Sequence, residues 1–396
     1  DSTSIRVLQQ ANVKKADLVI AVLHDEHINL LTGILAKKLG AKKVIVRVNT
    51  MENLSKESWR IYQDLGIDGI VSPEDIAAQE IINLLKQNVA TEAHDFAGGK
   101  LELLMVKLEP NAKAIGKTLE ELIENLKHID FRALAIHRRQ NTFIPKAHDV
   151  FKEGDLVYVV TKPHAIKELM QLSGKTKFNI NNVMIVGGSR VGKLTAKRLE
   201  SDLNIKLIEI DKKRCAELAN FLSDTLIINA DARNVDLLED EGIKDMEAFI
   251  AMTDNTETNI LTCLQAKSFG VKRTIAMVEN IDYIDISQNI GIDTIINKKL
   301  IAASYMVRYT LGGNVSSLKC LSGIDADIVE FVVRDGATVT SKPINKLDMP
   351  EGTIIGGIIR GEDSYIATGN FQIQAEDRVV VLVLPKTIQE VERLFR

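Results

Sequence analysis

Cysteine is scarce in this 396-residue chain: Cys215, Cys263 and Cys320 are odd in number and far apart. That excludes a disulfide framework and a thiolate zinc site, and it points to a reducing, cytoplasmic setting. Aromatics make up 5% with a single tryptophan, too few for a sugar platform or a base-stacking surface. Excess charge is missing as well. A formal net charge of −4 gives no bulk attraction to nucleic acid or anionic lipid, and no nucleic-acid partner is expected. No apolar run approaches the roughly 18 residues of a membrane span. The opening DSTSIRVLQQ has neither the basic nor the apolar region of a secretory signal. What is there, 45% hydrophobic and 26% charged, is the composition of a soluble globular protein with room for several cores.

The chain repeats itself. Residues 17–49 align without a gap on 247–279 at a constant offset of 230, matching Asn29 with Asn259, Leu31 with Leu261 and Gly40 with Gly270. A second pair, 135–160 and 357–382, aligns at an offset of 222 and places Asp155 on Asp377. Such internal periodicity governs the whole organisation. The form is A′–B–A–B: a partial Rossmann-like unit over 1–90, a small module over 98–174, a complete Rossmann-like unit over 180–313 and a second small module over 318–396. In the complete unit, apolar strands such as Val183–Val186 and Thr225–Asn229 alternate with helical patterns, which predicts a doubly wound α/β fold with a parallel sheet. The small modules, with short strands and polar turns, read as α+β. Helical stretches near 71–88 and 297–310 close each Rossmann-like unit and suit either an interface or ordinary core packing. The counterparts of Val183–Ala230 would fall before residue 1, so the first unit is expected to lack its opening strands and glycine turn.

The stretch VMIVGGSRVG carries the one ligand motif. In G-x-G-x-x-G the first glycine makes the turn, the second lets phosphate approach and the third packs helix on strand. Gly187 and Gly192 hold the outer places and Ser189 the middle one, which predicts an altered rather than an abolished site. The following helix N-terminus offers unpaired amides, with Arg190 and Lys193 adding positive charge. Asp211, after the next strand, stands where an acid would bind a ribose diol. Asp231 and Thr253-Asp254-Asn255 also fall at carboxyl ends of strands, the edge where doubly wound sheets hold ligands. Against this, such a turn can keep its glycines for packing alone.

No catalytic set and no metal set emerges. His24 and His27 flank Asp25 and Glu26 at a helix start, but their counterparts Asp254 and Glu257 are not matching ligands, so a solvated helix start is expected. The other histidines (His94, His128, His137, His148, His164) are scattered. Asp155 and Asp377 precede strands as turn residues do. A dehydrogenase needs an acid–base group beside its nicotinamide, and neither small module supplies one. A soluble NAD-dependent oxidoreductase is therefore the alternative, and a nucleotide sensor without catalytic residues the leading expectation.

The whole pattern, from VMIVGGSRVGKLTAKRLE through NADARN to AMTDNTETNILTCLQAKSFG, resembles the RCK (KTN) regulatory domains of potassium channels and transporters. The tandem order most resembles the cytoplasmic regulatory subunits of Trk-type potassium uptake. That resemblance implies a non-enzymatic gating protein that binds NAD(H), or alternatively ATP and ADP. It implies tetramers of tandem chains, a ring of eight RCK domains, set peripherally against a Trk-type integral membrane potassium transporter on the inner face of the membrane. By position, Gly187, Ser189, Arg190 and Gly192 would meet the phosphates and Asp211 the adenosine ribose, with Gly188, Val191 and Lys212 also in the cofactor-binding set. Asp231 and Ala232 would flank the adenine, and Thr253, Asp254 and Asn255 would line the inner end.

Overall fold

The structure is a computed structural model that describes the chain apart from residues 51, 88–91, 127–129, 139–140, 175–177, 311–313, 322–325 and 385. The start of the first linker and residues 311–313 of the second, together with His128, thus lie outside the described residues.

Four sheets follow the four units. β1 (Leu18–Ala21), β2 (Lys43–Arg47) and β3 (Gly69–Val71) form a three-stranded parallel sheet. The first small module has antiparallel strands β4 (Glu92–Phe96), β5 (Leu101–Lys107), β6 (Phe131–Arg138), β7 (Asn141–Phe143) and β8 (Leu156–Thr161), ordered β4-β5-β8-β6-β7. The complete unit has β9 (Asn182–Val186), β10 (Asn204–Glu209), β11 (Thr225–Asn229), β12 (Ala248–Ala251), β13 (Arg273–Met277) and β14 (Thr294–Ile296). All six are parallel in the order β11-β10-β9-β12-β13-β14, so the winding direction reverses between β9 and β12. Ligands of this fold sit at that reversal. The last sheet comprises β15 (Val315–Cys320), β16 (Asp327–Val332), β17 (Ile354–Arg360), β18 (Asp363–Ile366) and β19 (Arg378–Val383).

The repeat holds residue for residue. At the offset of 230, β1 falls on β12, β2 on β13 and the helix Glu26–Lys38 on Thr256–Ser268. The offset drops to 225 between β3 and β14, so the first unit carries a longer connection after β2. In both copies a buried asparagine locks the loop behind the first of these strands. Asn259 accepts from the Thr253 amide (2.9 Å) and donates to the Thr253 and Met277 carbonyls (3.0 and 2.9 Å). Asn29 does the same with Leu23 and Arg47 (2.7, 2.9 and 3.0 Å). In the small modules, Arg138 pairs bidentately with Asp155 and Arg360 with Asp377, every contact at 2.7 Å and both carboxylates buried. These aspartates anchor turns, as their placement before strands predicts.

The modules interlock. The helix Pro73–Gln87 of the first unit buries Ala77, Ala78, Ile81, Ile82, Leu84 and Leu85 against Val183, Ile185 and Val191 of the second. In return, Ala302, Met306 and Tyr309 on the helix Lys298–Thr310 cover Ile45 and Val71 of the first sheet. The two closing helices are thus exchanged between units, which decides between the interface and core alternatives left by their periodicity. Each buried Ile or Leu contributes roughly 1.5–3 kcal/mol. Polar links add to the apolar contact, with Arg198 reaching Asp75 and Gln79, and Lys319 reaching Glu80. The small sheets also pack face to face, Leu101, Leu103 and Tyr158 against Ile328, Val380 and Leu382. His94 lies at the rim of that contact, 3.0 Å from Ser317 Oγ. Burial, with Lys319 nearby, pushes its imidazole down to about 3, so it stays neutral at physiological pH.

Candidate functional site

β9 runs into the glycine turn at the sheet's reversal. Gly187 adopts a φ of +98°, and a Cβ there would lie 2.7 Å from the Thr253 amide nitrogen. At Gly192 a Cβ would stand 2.2 Å from the Gly187 carbonyl, and at Gly188 one would strike Leu218 at 2.4 Å. Gly187 and Gly192 are therefore sterically required by the backbone, whereas at Gly188 the end of the Leu218 side chain would have to move. Ser189 is not strained: its φ is −58° and its hydroxyl caps the helix Arg190–Leu199, accepting from the Gly192 amide at 3.4 Å. Serine at the middle position is thus a helix cap on the edge of an open space.

Two adjoining cavities meet at this turn. One, of about 350 Å³, is lined by Gly187, Glu209, Ile210, Arg214, Asp231, Ala232, Arg233 and Thr253–Asn255. The other, of about 450 Å³, is lined by Gly188–Val191, Lys193, Arg214, Glu217, Leu218 and Asp254, and by Glu74 and Lys298 from the two exchanged helices. Arg214 and Asp254 border both. The structure therefore brings together Gly187, Gly188, Ser189, Arg190, Val191, Asp231, Ala232, Thr253, Asp254 and Asn255, with Gly192 packed directly behind the turn.

Asp211 and Lys212 line neither cavity. Asp211 instead caps the helix Lys212–Phe221, accepting from the amides of Lys213 (2.7 Å) and Arg214 (3.0 Å). Those amides, Arg214's foremost, hold its carboxyl below the usual range. Of the two acids in this stretch, the one that faces the cleft is Glu209, two residues earlier at the end of β10. It is buried, accepts from the Gly188 amide at 2.7 Å and the Asp211 amide at 2.8 Å, and lies 3.6 Å from Arg214. The signal was present in KLIEID, because Glu209 ends the apolar strand while Asp211 stands outside it.

The rest of the lining is pre-set. Asp231 is clasped by Arg233 of its own turn (2.6 Å), which lowers its pKa. Asn255 caps the helix Thr256–Ser268 through the Thr258 amide at 2.6 Å. Cys215 donates its thiol to the Glu209 carbonyl (3.3 Å), and burial pushes its pKa up, so it is a packing residue. In the first unit, Asp25 caps its helix while His24 and His27 are exposed. Among the described residues no cluster of His, Cys, Asp or Glu could hold a metal ion. Chemically the site offers oriented amides, cations on one side of the turn and a buried carboxylate on the other. That is the donor set of a phosphate-bearing, ribose-bearing ligand.

Family models divide the chain in the same way. The TrkA-N domain matches residues 1–73 and 183–298, and the TrkA-C domain matches 103–174 and 328–396. The chain belongs to the TrkA family. A Trk system potassium uptake protein TrkA homolog of Methanosarcina mazei is 31% identical over 390 residues, spanning 96% of this chain and 86% of that protein. The Trk system potassium uptake protein TrkA of Vibrio alginolyticus is 30% identical over 396 residues, spanning 98% and 86%. Among solved structures, the GsuK RCK domain aligns with a TM-score of 0.57 at 17% identity over 99% of this chain and 84% of its own. The GsuK channel bound to NAD aligns with a TM-score of 0.58 at 17% identity, covering 99% and 70%. These likenesses show that the TrkA family chain has the tandem RCK fold.

Proposed function

We propose that the chain is the nucleotide-responsive regulatory subunit of a Trk-type potassium transporter. The observation that carries this reading is the glycine turn opening onto two cavities, one lined by the second Rossmann-like unit alone and the other by that unit together with Glu74 of the first. Its relatives are named Trk system potassium uptake proteins, and the related RCK fold of GsuK is described with NAD bound. The occupant is NAD(H) or an adenine nucleotide such as ATP or ADP. The amides of the turn, with Arg190 and Lys193, hold its phosphates. Glu209 takes the ribose hydroxyls in place of Asp211, and Asp231, Ala232 and Thr253–Asn255 border the base and the inner end of the cleft.

No acid–base group is assigned, because control requires only unequal affinity. A nucleotide wedged between units shifts the balance of assembly shapes by the difference in its affinity for each, and by no more. The assembly is a tetramer of tandem chains, a ring of eight RCK domains, held on the cytoplasmic face of the inner membrane by its transporter. The test is potassium flux into vesicles carrying the co-purified transporter, with and without nucleotide. Flux should follow nucleotide occupancy, and NADH mixed with a panel of carbonyl substrates should not be oxidised. Sustained NADH oxidation would establish the oxidoreductase alternative instead.

A further inference from the structure

We infer that copies of this chain join head to tail, the first Rossmann-like unit of one against the second unit of the next, through two helix faces of opposite charge. The inference rests on the assembly proposed above and adds which units meet in it.

The two faces occupy the same place in the repeat. The helix Ile5–Gln10 and the turn Val13–Lys15 precede β1; at the offset of 230, the helix Val235–Asp240 and the turn Ile243–Asp245 precede β12. Spacings of three and four residues put positions 6, 9 and 10 on one face of the first helix, and 236, 239 and 240 on the same face of the second. Behind these faces the packing is alike, with Leu8 and Val13 buried in one unit and Leu238 and Ile243 in the other. The charge is not alike. Arg6 is replaced by Asp236, Lys15 by Asp245, and Gln9 and Gln10 by Glu239 and Asp240. Lys14 and Lys244 are both cations, but Lys244 is paired with Glu239, where the first unit has the neutral Gln9. Lys38, which becomes Ser268, adds to the basic face. The turn that follows it packs on Lys14, since a Cβ at Gly40 would lie 3.2 Å from Lys14 Cγ.

Arg6, Lys14, Lys15 and Lys38 are exposed, as are Asp236, Asp240 and Asp245. Among the described residues none of these seven has an ion partner, and no ion pair joins the two faces within the chain. A first unit against a first unit would oppose cations, and a second against a second would oppose acids. Only the unlike pairing is attractive, so the same charges both recruit the right face and reject the wrong one. One exposed ion pair is weak, but several arranged together choose the partner and speed encounter. An unlike contact is heterologous, so it repeats from copy to copy and closes a ring instead of ending at a dimer.

The experiment is sedimentation velocity of the full chain over a concentration series at low and high salt. The wild type should associate, and high salt should weaken that association by about tenfold. The triple variant Arg6→Glu, Lys14→Glu, Lys15→Glu makes both faces acidic; Asp236→Lys, Asp240→Lys, Asp245→Lys makes both basic. Each alone should associate at least about tenfold more weakly at low salt. The chain carrying all six substitutions exchanges the two signs and should return to within about threefold of the wild type, as should an equimolar mixture of the two triple variants. Association unchanged in both triple variants overturns the inference and leaves the assembly standing. Loss without rescue, in the sixfold chain or in the mixture, overturns it as well. If the variants do not fold, the wild type decides alone, and association indifferent to salt overturns the proposal. A wild type that stays monomeric overturns the pairing together with the assembly.

Discussion

The two Rossmann-like units begin from nearly the same local sequence and end in different environments. Ile250 on β12 is 0% exposed because β9 and β13 flank its strand, whereas Ile20 at the same place on β1 is 40% exposed. Val22 is 45% exposed and its counterpart Met252 is 0% exposed. Among the described residues no strand pairs with the second edge of β1. Yet the helix, the asparagine lock and the next strand are the same in both units. Local structure here is set by short-range pattern, and burial is set by what the neighbours supply. The second unit holds the glycine turn; the first contributes a covering helix and one wall of the cavity.

Removing the shared lock tests that contrast most strongly. Asn259→Ala strands the Thr253 amide and two carbonyls in a largely buried place, for an expected loss of about 3 kcal/mol. Asn29→Ala strands the equivalent groups behind Leu23, which is 48% exposed, so water replaces part of the lost bonding. Its expected cost is about 1–2 kcal/mol. Denaturant titrations of both variants measure the gap, and nucleotide affinity should fall only in Asn259→Ala. Equal costs would mean that the two units are equally closed to water.

A narrower change breaks the second unit alone. Gly192→Ala places a methyl against the Gly187 carbonyl, 2.2 Å from it in the present backbone, so turn and helix must part. Overpacking of this kind costs about 1–3 kcal/mol. Nucleotide binding by calorimetry should be lost while far-UV circular dichroism stays near that of the wild type. Retained affinity would show that the turn does not touch the ligand.

Much of this fold was legible in the sequence because the repeat supplies two readings of each element. β11 covers the expected Thr225–Asn229, β14 ends where its apolar run ends, and the helix Thr256–Ser268 is bounded by its caps Asn255 and Phe269. The exchange of closing helices was not legible, because periodicity marks an apolar face without naming the sheet it covers. Glu209 was not singled out as a cleft residue for a related reason. Glu209 and Asp211 flank Ile210, and only the point where the strand stops decides which acid turns inward. Glu209→Gln should weaken nucleotide binding by about tenfold, the size expected for losing one charged hydrogen bond to a ligand. Asp211→Ala should lower Tm slightly by uncapping a helix and leave affinity unchanged. The reverse result would return the ribose to Asp211.

The smallest expected effect is a difference in acid sensitivity between the two connecting loops. In the first unit the loop after β2 is held by Glu26, which accepts from the Asn49 amide (2.7 Å), the Thr50 amide (3.0 Å) and Asn53 Nδ2 (3.1 Å). In the second unit the neutral hydroxyl of Thr256 does this work, accepting from the Glu279 amide at 3.2 Å. Burial raises the Glu26 pKa, but the donors outweigh it and hold the carboxyl below its ordinary value of 4.5. A group whose pKa is lower in the folded state contributes stability that is present above the unfolded value and lost as pH falls through the folded one. Amide exchange over 49–53, corrected for its intrinsic pH dependence, should therefore quicken as pH falls below about 4.5, while exchange over 279–281 stays comparatively flat. Glu26→Gln should remove the pH dependence of the first loop. If both loops loosen together, the acid response belongs to the interlocked units as a whole, and the carboxylate has no separate role in it.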